Sequence, residues 1–211
     1  MAKFPEPPGI QALSQIPPKI ITFQAQTLLW RVYRSGGEFP TRWNTFRHYG
    51  PTAARFDHHL TNPTGQSYQQ ERGIMYLAEQ GPTCIAEVFQ TTRVIDRHNG
   101  APWMVAFTLE RDITLLDLTG VFVTTLGAST AIHSGPRPRA QRWSQQLYMA
   151  YPQIEGLLYC SSMFGNAPSL ALFERARSAL PERPAFHRSL SDNGLLSHLA
   201  QTGKLIGYPL V

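Results

Sequence analysis

The feature that most constrains this chain is a series of segments, mostly apolar, each of which carries a polar side chain inside it or beside it. The segments read LLWRVYR (28–34), ARFDHH (54–59), GIMYLAEQGPTCIAEVF (73–89) and GLLYCSSMFGNAPSLALFE (156–174). Their polar residues include Arg31, Arg55, Glu87 and Ser161. A buried polar group costs free energy unless another group pairs with it or a ligand uses it. We therefore expect the chain to bring these side chains to one shared pocket.

The length and composition indicate one folded domain. The chain has 211 residues, of which 42% are apolar, and this is enough for a real core. No apolar run reaches the roughly 18 residues of a transmembrane helix, and the N-terminal segment lacks the pattern of a secretory signal. Cys84 and Cys160 lie in apolar surroundings and are expected to be small core residues in a reducing cytoplasm. Adjacent His58 and His59, with His48 nearby, are not expected to bind a metal.

The charge is moderately basic. The formal net charge is +5, from 19 basic and 14 acidic residues, which permits an anionic ligand without identifying one. The densest basic group is Arg137, Arg139 and Arg142, interrupted by Pro136 and Pro138. It is interpreted as solvated arginines on a loop that leads into a helix. Because zinc-type Cys/His spacing and RNA-binding motifs are absent from the sequence, direct nucleic-acid binding is not expected.

The pattern of apolar residues predicts an α+β fold without regular βαβ alternation. Strands are predicted at 27–34, 73–78, 103–109, 113–118, 121–125 and 157–160. Helices are predicted at 82–89, 139–151, 169–180 and 191–202. A Pro-rich N-terminal arm, extended on the surface, is predicted for 1–26, a single domain for 27–211, and a long loop for 35–72. Neither a Rossmann nor a P-loop glycine motif is present.

The two arginines each have a structural and a functional interpretation. Arg31 in a strand either reaches the strand end or pairs with a carboxylate, or its guanidinium binds phosphate oxygens. Arg55 either forms a local ion pair with Asp57 or makes a second phosphate contact.

The other three candidate residues also have two interpretations each when only the chemistry of the side chain is considered. Tyr76 is either a core tyrosine or an aromatic face for a flat heterocycle. Glu87 is either an exposed helix residue or a carboxylate in a cleft that stabilises a developing cation or holds a sugar hydroxyl. Ser161 is either a capping serine at a strand end or a hydrogen-bond partner of a ligand, and it lacks the G-x-S-x-G setting of a hydrolase nucleophile.

Together these segments resemble the RES domain family, named for its Arg, Glu and Ser residues. The resemblance covers roughly residues 28–175. The family's opening strand is similar to LLWRVYR, its Gly-Arg-Phe/Trp element to RFD, its Tyr-x-Ala-Glu…Ala-x-x-Glu-Val block to MYLAEQGPTCIAEVF, and its late strand to LLYCSS. Taken in that order, these motifs place Arg31, Arg55, Tyr76 with Glu87, and Ser161 at the positions of the family's site residues.

The resemblance implies a fold similar to ADP-ribosyltransferases, with a mixed β-sheet core and flanking helices. It implies the toxin of a toxin–antitoxin pair, with an Xre-type antitoxin as partner. The implied activity is cleavage of the nicotinamide–ribose bond of NAD⁺, which is a consumed substrate rather than a redox cofactor, by water or phosphate. A protein ADP-ribosyltransferase, or a non-catalytic module that binds a nucleotide or nucleic acid, remains the alternative.

The assigned residues suit that chemistry. The resemblance implies that Arg31 and Arg55 bind the diphosphate and that Tyr76 stacks on the nicotinamide ring. Glu87 would stabilise the oxocarbenium character of the ribose, hold a ribose hydroxyl or orient the attacking water. Ser161 would bind the amide or a phosphate. The implied catalytic residues are Arg31, Glu87 and Ser161, and a neutralising partner is expected to cover the cleft between Arg31 and Glu87.

Overall fold

The computed structural model describes residues 3–211. The helices are α1 (Ile10–Ser14), α2 (Gly81–Val88), α3 (Phe122–Thr125), α4 (Arg137–Ala150) and α5 (Leu196–Ile206). The strands are β1 (Ile20–Phe23), β2 (Leu28–Arg34), β3 (Arg47–Gly50), β4 (Tyr68–Ala78), β5 (Pro102–Thr108), β6 (Ile113–Asp117), β7 (Gly156–Cys160), β8 (Pro168–Phe173) and β9 (Phe186–Ser189). Short 3₁₀ helices span Thr130–Ile132, Glu174–Ala179 and Asn193–Leu195.

The nine strands of residues 3–211 all join one mixed sheet. The strand order is β1-β6-β7-β8-β4-β2-β5-β9, and β3 pairs with β4 outside this path. Only the β6–β7 pair is parallel among the strands of residues 3–211. With helices packed against this sheet, the structure confirms the predicted α+β class and its mixed-sheet core.

Two neighbouring strands of the sheet, β2 and β4, are paired over a single residue pair. Strand β2 pairs with β5 along all seven of its residues, but with its other neighbour, β4, it pairs only where Trp30 faces Ala78. Strand β4 is instead paired with β8 from Ile74 to Ala78. The side chains of β2 and β4 that lie beyond the Trp30–Ala78 pair are therefore free to line an opening between the two strands.

Two apolar clusters fix the α-helices on the sheet. One core cluster packs α1, α3 and α4 on β6, β7 and β8, and the predicted stripe of Trp143, Leu147 and Ala150 on α4 is buried in it. On α2, Cys84 and Ile85 are buried against β2, β4 and α5. The last turn of α2 is only half-buried and borders the opening in the sheet.

Two element types were predicted wrongly. Residues 169–180 form strand β8 and then a 3₁₀ helix, not an α-helix, because β8 pairs with β7 on one side and β4 on the other and all of Ser169–Phe173 is buried. Residues 121–125 are helical in α3, not a strand, and their helical turn is closed by the N–H of Leu126 donating to the carbonyl of Phe122 at 3.0 Å. Local apolar periodicity did not distinguish these states because tertiary pairing decides them.

Two regions contain strands that were not predicted, and the last helix has different end residues from those predicted. The predicted loop at 35–72 includes β3 and the first residues of β4, and β9 was not predicted at all. The last helix is shifted toward the C-terminus and ends at Gly207, whose φ of 73° gives the left-handed helix end. Gly203, expected to end the helix, lies inside it, and a glycine is needed there because a Cβ would meet the carbonyl oxygen of Tyr208 at 2.6 Å.

The N-terminal segment is only partly the extended surface arm that was predicted. It forms α1 and then β1, which pairs with β6. Leu13 is fully buried in the α4 cluster, and the indole N–H of Trp143 donates to the carbonyl of Pro5 at 2.9 Å. The domain boundary placed at residue 27 stays a prediction. Separately, none of the helices in residues 3–211 is both long and apolar enough to cross a membrane.

If the N-terminal segment is part of the core, Leu13→Ala should lower the free energy of unfolding by about 2–5 kcal/mol, because it removes fully buried apolar volume. Leu205→Ala is the matched control, since Leu205 on α5 is 67% exposed, and it should change stability by no more than about 0.5 kcal/mol. Chemical denaturation measures both. Equal effects of the two substitutions would contradict the described packing of α1.

Candidate active site

A cleft of about 490 Å³ opens beside β2, β4 and α2. The structure brings four of the five predicted residues to its wall, namely Arg31, Arg55, Tyr76 and Glu87. Ser161 lies behind the wall, in contact with Glu87. Further residues of the wall that the sequence did not single out as site residues include Thr52, Gln90, His133, Arg137 and Tyr159.

Glu87 is held by hydrogen bonds to both of its carboxylate oxygens. It is half-buried in the last turn of α2, one turn after the buried Cys84 and on the same side of the helix. Its Oε1 accepts from the hydroxyl of Ser161 at 2.5 Å, and its Oε2 accepts from the amide Nε2 of Gln90 at 3.3 Å. The carboxylate is therefore oriented before any ligand arrives.

Ser161 forms the first turn after β7 and is 1% exposed. Its Oγ accepts from the backbone N–H groups of Met163 and Phe164, both at 3.1 Å, and donates to Glu87. Ser161 therefore caps the turn after β7, as one interpretation of the sequence expected, and it also holds the Glu87 carboxylate. The cleft wall itself carries the next residue, Ser162, and direct contact between Ser161 and a ligand stays a prediction.

Arg31 enters the cleft from the centre of β2 and is buried, with 8% exposure. Its Nη1 donates to the carbonyls of Trp43 at 2.7 Å, Thr45 at 3.2 Å and Arg42 at 3.3 Å. Burial lowers the pKa of this guanidinium to about 10. No carboxylate of residues 3–211 forms an ion pair with it, so its charge is solvated only by neutral oxygens of the protein.

Arg55 approaches from the loop between β3 and β4. Its Nη1 donates to the carbonyls of Gly135 at 2.7 Å and Ile132 at 3.4 Å. Burial lowers its pKa, and the nearby charge of Arg137 lowers it further. The local ion pair with Asp57 that was one interpretation of the sequence is not formed, because Asp57 pairs with Arg47 instead.

Two tyrosines supply the aromatic part of the cleft. Tyr76 on β4 is half-buried, and its hydroxyl has no hydrogen-bond partner among residues 3–211. Tyr159 on β7 is buried and packs against Phe56, with ring centroids 4.7 Å apart. Burial raises the pKa of both hydroxyls, so both are neutral at pH 7. Tyr159 was not predicted as a site residue, although strand alternation places it on the same face as Ser161, two residues later.

A buried carboxylate holds the loop that carries Arg55. Asp57 is fully buried and accepts from Arg47 Nη2 at 2.8 Å, from the N–H and hydroxyl of Thr52 at 2.6 and 2.9 Å, and from His59 Nδ1 at 2.5 Å. Burial alone would raise its pKa, but His59, Arg47 and Thr52 outweigh burial and hold it well below its usual range. His59 also contacts the carbonyl of Arg72 through Nε2 at 2.8 Å.

His58 and the two cysteines lie outside the cleft wall. His58 is buried between Tyr148 and Phe173, with ring centroids 4.4 and 4.5 Å away, and burial lowers its pKa to about 4. Both cysteines are free thiols. Cys84 is buried as expected, whereas Cys160 is partly exposed at the end of β7.

The fold and the cleft define a mixed-sheet domain with one oriented carboxylate surrounded by cationic and aromatic side chains. The RES domain family model matches residues 28–192, which is well over half of the chain, and the protein belongs to that family. The family identified from the motifs is therefore confirmed.

The fold also matches a solved structure. A chain in the crystal structure of the M. tuberculosis MbcT-MbcA toxin-antitoxin complex is similar, with a TM-score of 0.55 and 15% sequence identity over 94% of each chain. This likeness shows a shared fold. The search of curated proteins finds no match for this chain.

Asp57→Asn should lower the free energy of unfolding by about 3–5 kcal/mol, because the fully buried side chain loses its charge-assisted hydrogen bonds with Arg47 and His59. The difference in unfolding free energy from the wild-type protein should shrink as the pH falls below 3.8, the ordinary pKa of an aspartate. A carboxylate with a lowered pKa in the folded state stabilises the protein above its unfolded pKa and loses this effect as the pH falls through the folded one.

The control for this prediction is Asp192→Asn. Asp192 pairs with Arg188 four residues earlier, and its side chain is 38% exposed, so the loss should stay below about 1 kcal/mol. Urea unfolding at pH 7 and pH 3 measures both variants. A penalty for Asp57→Asn that does not change with pH would contradict the charged state of this carboxylate.

Proposed function

We propose that this chain cleaves the nicotinamide–ribose bond of NAD⁺ and acts as the toxin of a toxin–antitoxin pair. The observation that carries the proposal is the oriented carboxylate of Glu87 in the same cleft as Arg31 and Arg55. Neither arginine forms an ion pair with a carboxylate of residues 3–211. A ligand that has a diphosphate at one part and a developing cation at another matches this arrangement of charges.

In this reaction the bond between the nicotinamide nitrogen and the ribose C1′ breaks. The electron pair of the bond leaves with nicotinamide, which becomes neutral, and positive charge develops on the ribose as an oxocarbenium ion. Glu87 stabilises this cation and holds a ribose hydroxyl or orients the attacking group. Water or phosphate then forms a new bond to C1′. When the acceptor is water, it releases a proton to solvent as this bond forms.

The other site residues bind and orient the substrate. Arg31 and Arg55 hold the diphosphate with the N–H groups that their carbonyl partners leave free. Tyr76 and Tyr159 provide neutral aromatic surface for the nicotinamide ring. Ser161 acts through Glu87 as a positioning residue, because its hydroxyl hydrogen lies on the carboxylate.

Membership of the RES domain family and the fold shared with a chain of a toxin–antitoxin complex support this proposal. A protein ADP-ribosyltransferase would use the same cleft and differ only in the acceptor. Mass labelling of proteins incubated with NAD⁺ separates that activity from attack by water or phosphate. The site of action we propose is the cytoplasm, where NAD⁺ is available.

Glu87→Gln should lower the rate of NAD⁺ loss by about 10²–10³, because it removes the charge that stabilises the ribose cation and keeps the side-chain shape. The measurement is NAD⁺ consumption by the purified protein, with and without inorganic phosphate. The matched control is Glu79→Gln, an exposed carboxylate that precedes α2, which should retain the full rate.

Acceleration by phosphate would identify phosphate as the acceptor, and an unchanged rate would identify water. The proposal is wrong if purified wild-type protein, free of any bound partner, consumes no NAD⁺. It is also wrong if Glu87→Gln consumes NAD⁺ as fast as the wild type.

We further propose that an antitoxin, of the Xre type, covers the cleft between Arg31 and Glu87. Expression of the chain without a partner should then stop growth and deplete cellular NAD⁺, and expression of Glu87→Gln at the same level should do neither. Cell density and extracted NAD⁺ measure this outcome. Normal growth and normal NAD⁺ during expression of a soluble, partner-free wild-type protein would contradict it.

A further inference from the structure

The arginines at the start of α4 have different partners. Arg139 and Arg142 both pair with Glu6, at 3.0 and 2.6 Å, on the outer surface of the helix. Arg137 lies on the cleft wall and forms no ion pair with a carboxylate of residues 3–211. Its Nη2 donates to the neutral amide oxygen of Gln90 at 2.7 Å. The sequence interpretation of this cluster as solvated arginines therefore does not fit Arg137.

Arg55 and Arg137 line the same wall of the cleft. Arg55 donates to the carbonyl of Gly135, two residues before Arg137, at 2.7 Å. The two positive charges repel, and this repulsion contributes, after burial, to the lowered pKa of Arg55. Two cations on one wall, neither of them ion-paired with a carboxylate of residues 3–211, form an arrangement that an anion stabilises.

We propose that Arg137 and Arg55 form a phosphate-binding subsite of the cleft. Guanidinium groups match phosphate because their planar N–H donors bind two oxygens at once. The phosphate is either part of the diphosphate of a bound dinucleotide or free inorganic phosphate. The binding of phosphate stands on the geometry alone, whereas its use in a reaction rests on the proposed function.

Gln90 connects this subsite to the carboxylate. Because its Oε1 accepts from Arg137, its Nε2 is the group that donates to Glu87, at 3.3 Å to Oε2 and 2.7 Å to the carbonyl oxygen. Arg137 is therefore separated from the Glu87 carboxylate by a single amide group. A phosphate bound at Arg137 lies beside the carboxylate, and the amide prevents a direct ion pair that would neutralise both.

The test is the affinity of the full chain for two probes, ADP and inorganic phosphate, measured by isothermal titration calorimetry. Arg137→Gln should weaken binding by about tenfold or more, because it removes a charge-assisted contact. Arg142→Gln is the matched control on the same helix; its side chain is 48% exposed, and its affinity should stay within about twofold of the wild type. Arg137→Lys, which keeps the charge and loses the planar fork, should be intermediate.

The two probes separate the sources of the phosphate. Weakening for ADP alone assigns the subsite to the substrate's diphosphate, and weakening for inorganic phosphate assigns it to a free phosphate. The proposal is overturned if Arg137→Gln binds both probes like the wild type, or if neither probe binds the wild-type protein at millimolar concentration. Arg137-dependent binding without NAD⁺ cleavage would leave the subsite intact and contradict the proposed function.

Discussion

The hydrogen bond from Ser161 to Glu87 is the contact on which the candidate site depends. It joins the turn after β7 to the last turn of α2, across 74 residues of sequence. Two backbone N–H groups orient the serine, and the serine in turn orients the carboxylate. The mixed sheet brings these two elements together, because β7 is separated from β4, the strand that leads into α2, only by β8.

The loops around the cleft are held by buried polar groups rather than by apolar packing alone. Arg31 binds three carbonyls of the segment 42–45, and Asp57 binds Arg47, Thr52 and His59 in the segment that carries Arg55. A buried charge of this kind costs much free energy when its partner is lost. Residues that bind ligand and residues that hold the loops are therefore linked in one hydrogen-bonded wall.

The sequence indicated which residues lie at the cleft better than it indicated the elements that position them. Arg31, Glu87 and Ser161 were singled out because polar residues in apolar segments need partners, and that argument is local. The type of residues 169–180 could not be predicted locally, because β8 exists only through its pairing with two distant strands. Arg137 was missed for a similar reason. Its neighbours Arg139 and Arg142 are ordinary surface cations, and only the path of α4 past the cleft distinguishes it.

The choice of arginine partners explains how the cleft retains positive charge. Arginines elsewhere in the chain, such as Arg111, pair with carboxylates such as Glu155, which cancel their charge. In the cleft, Arg31, Arg55 and Arg137 are held by carbonyls and an amide, which fix the geometry without adding negative charge. Neutral partners thus position the guanidinium groups and leave their attraction for an anion in place. The single carboxylate among them, Glu87, is held by a hydroxyl and an amide in the same way, so both signs of charge remain available to a ligand.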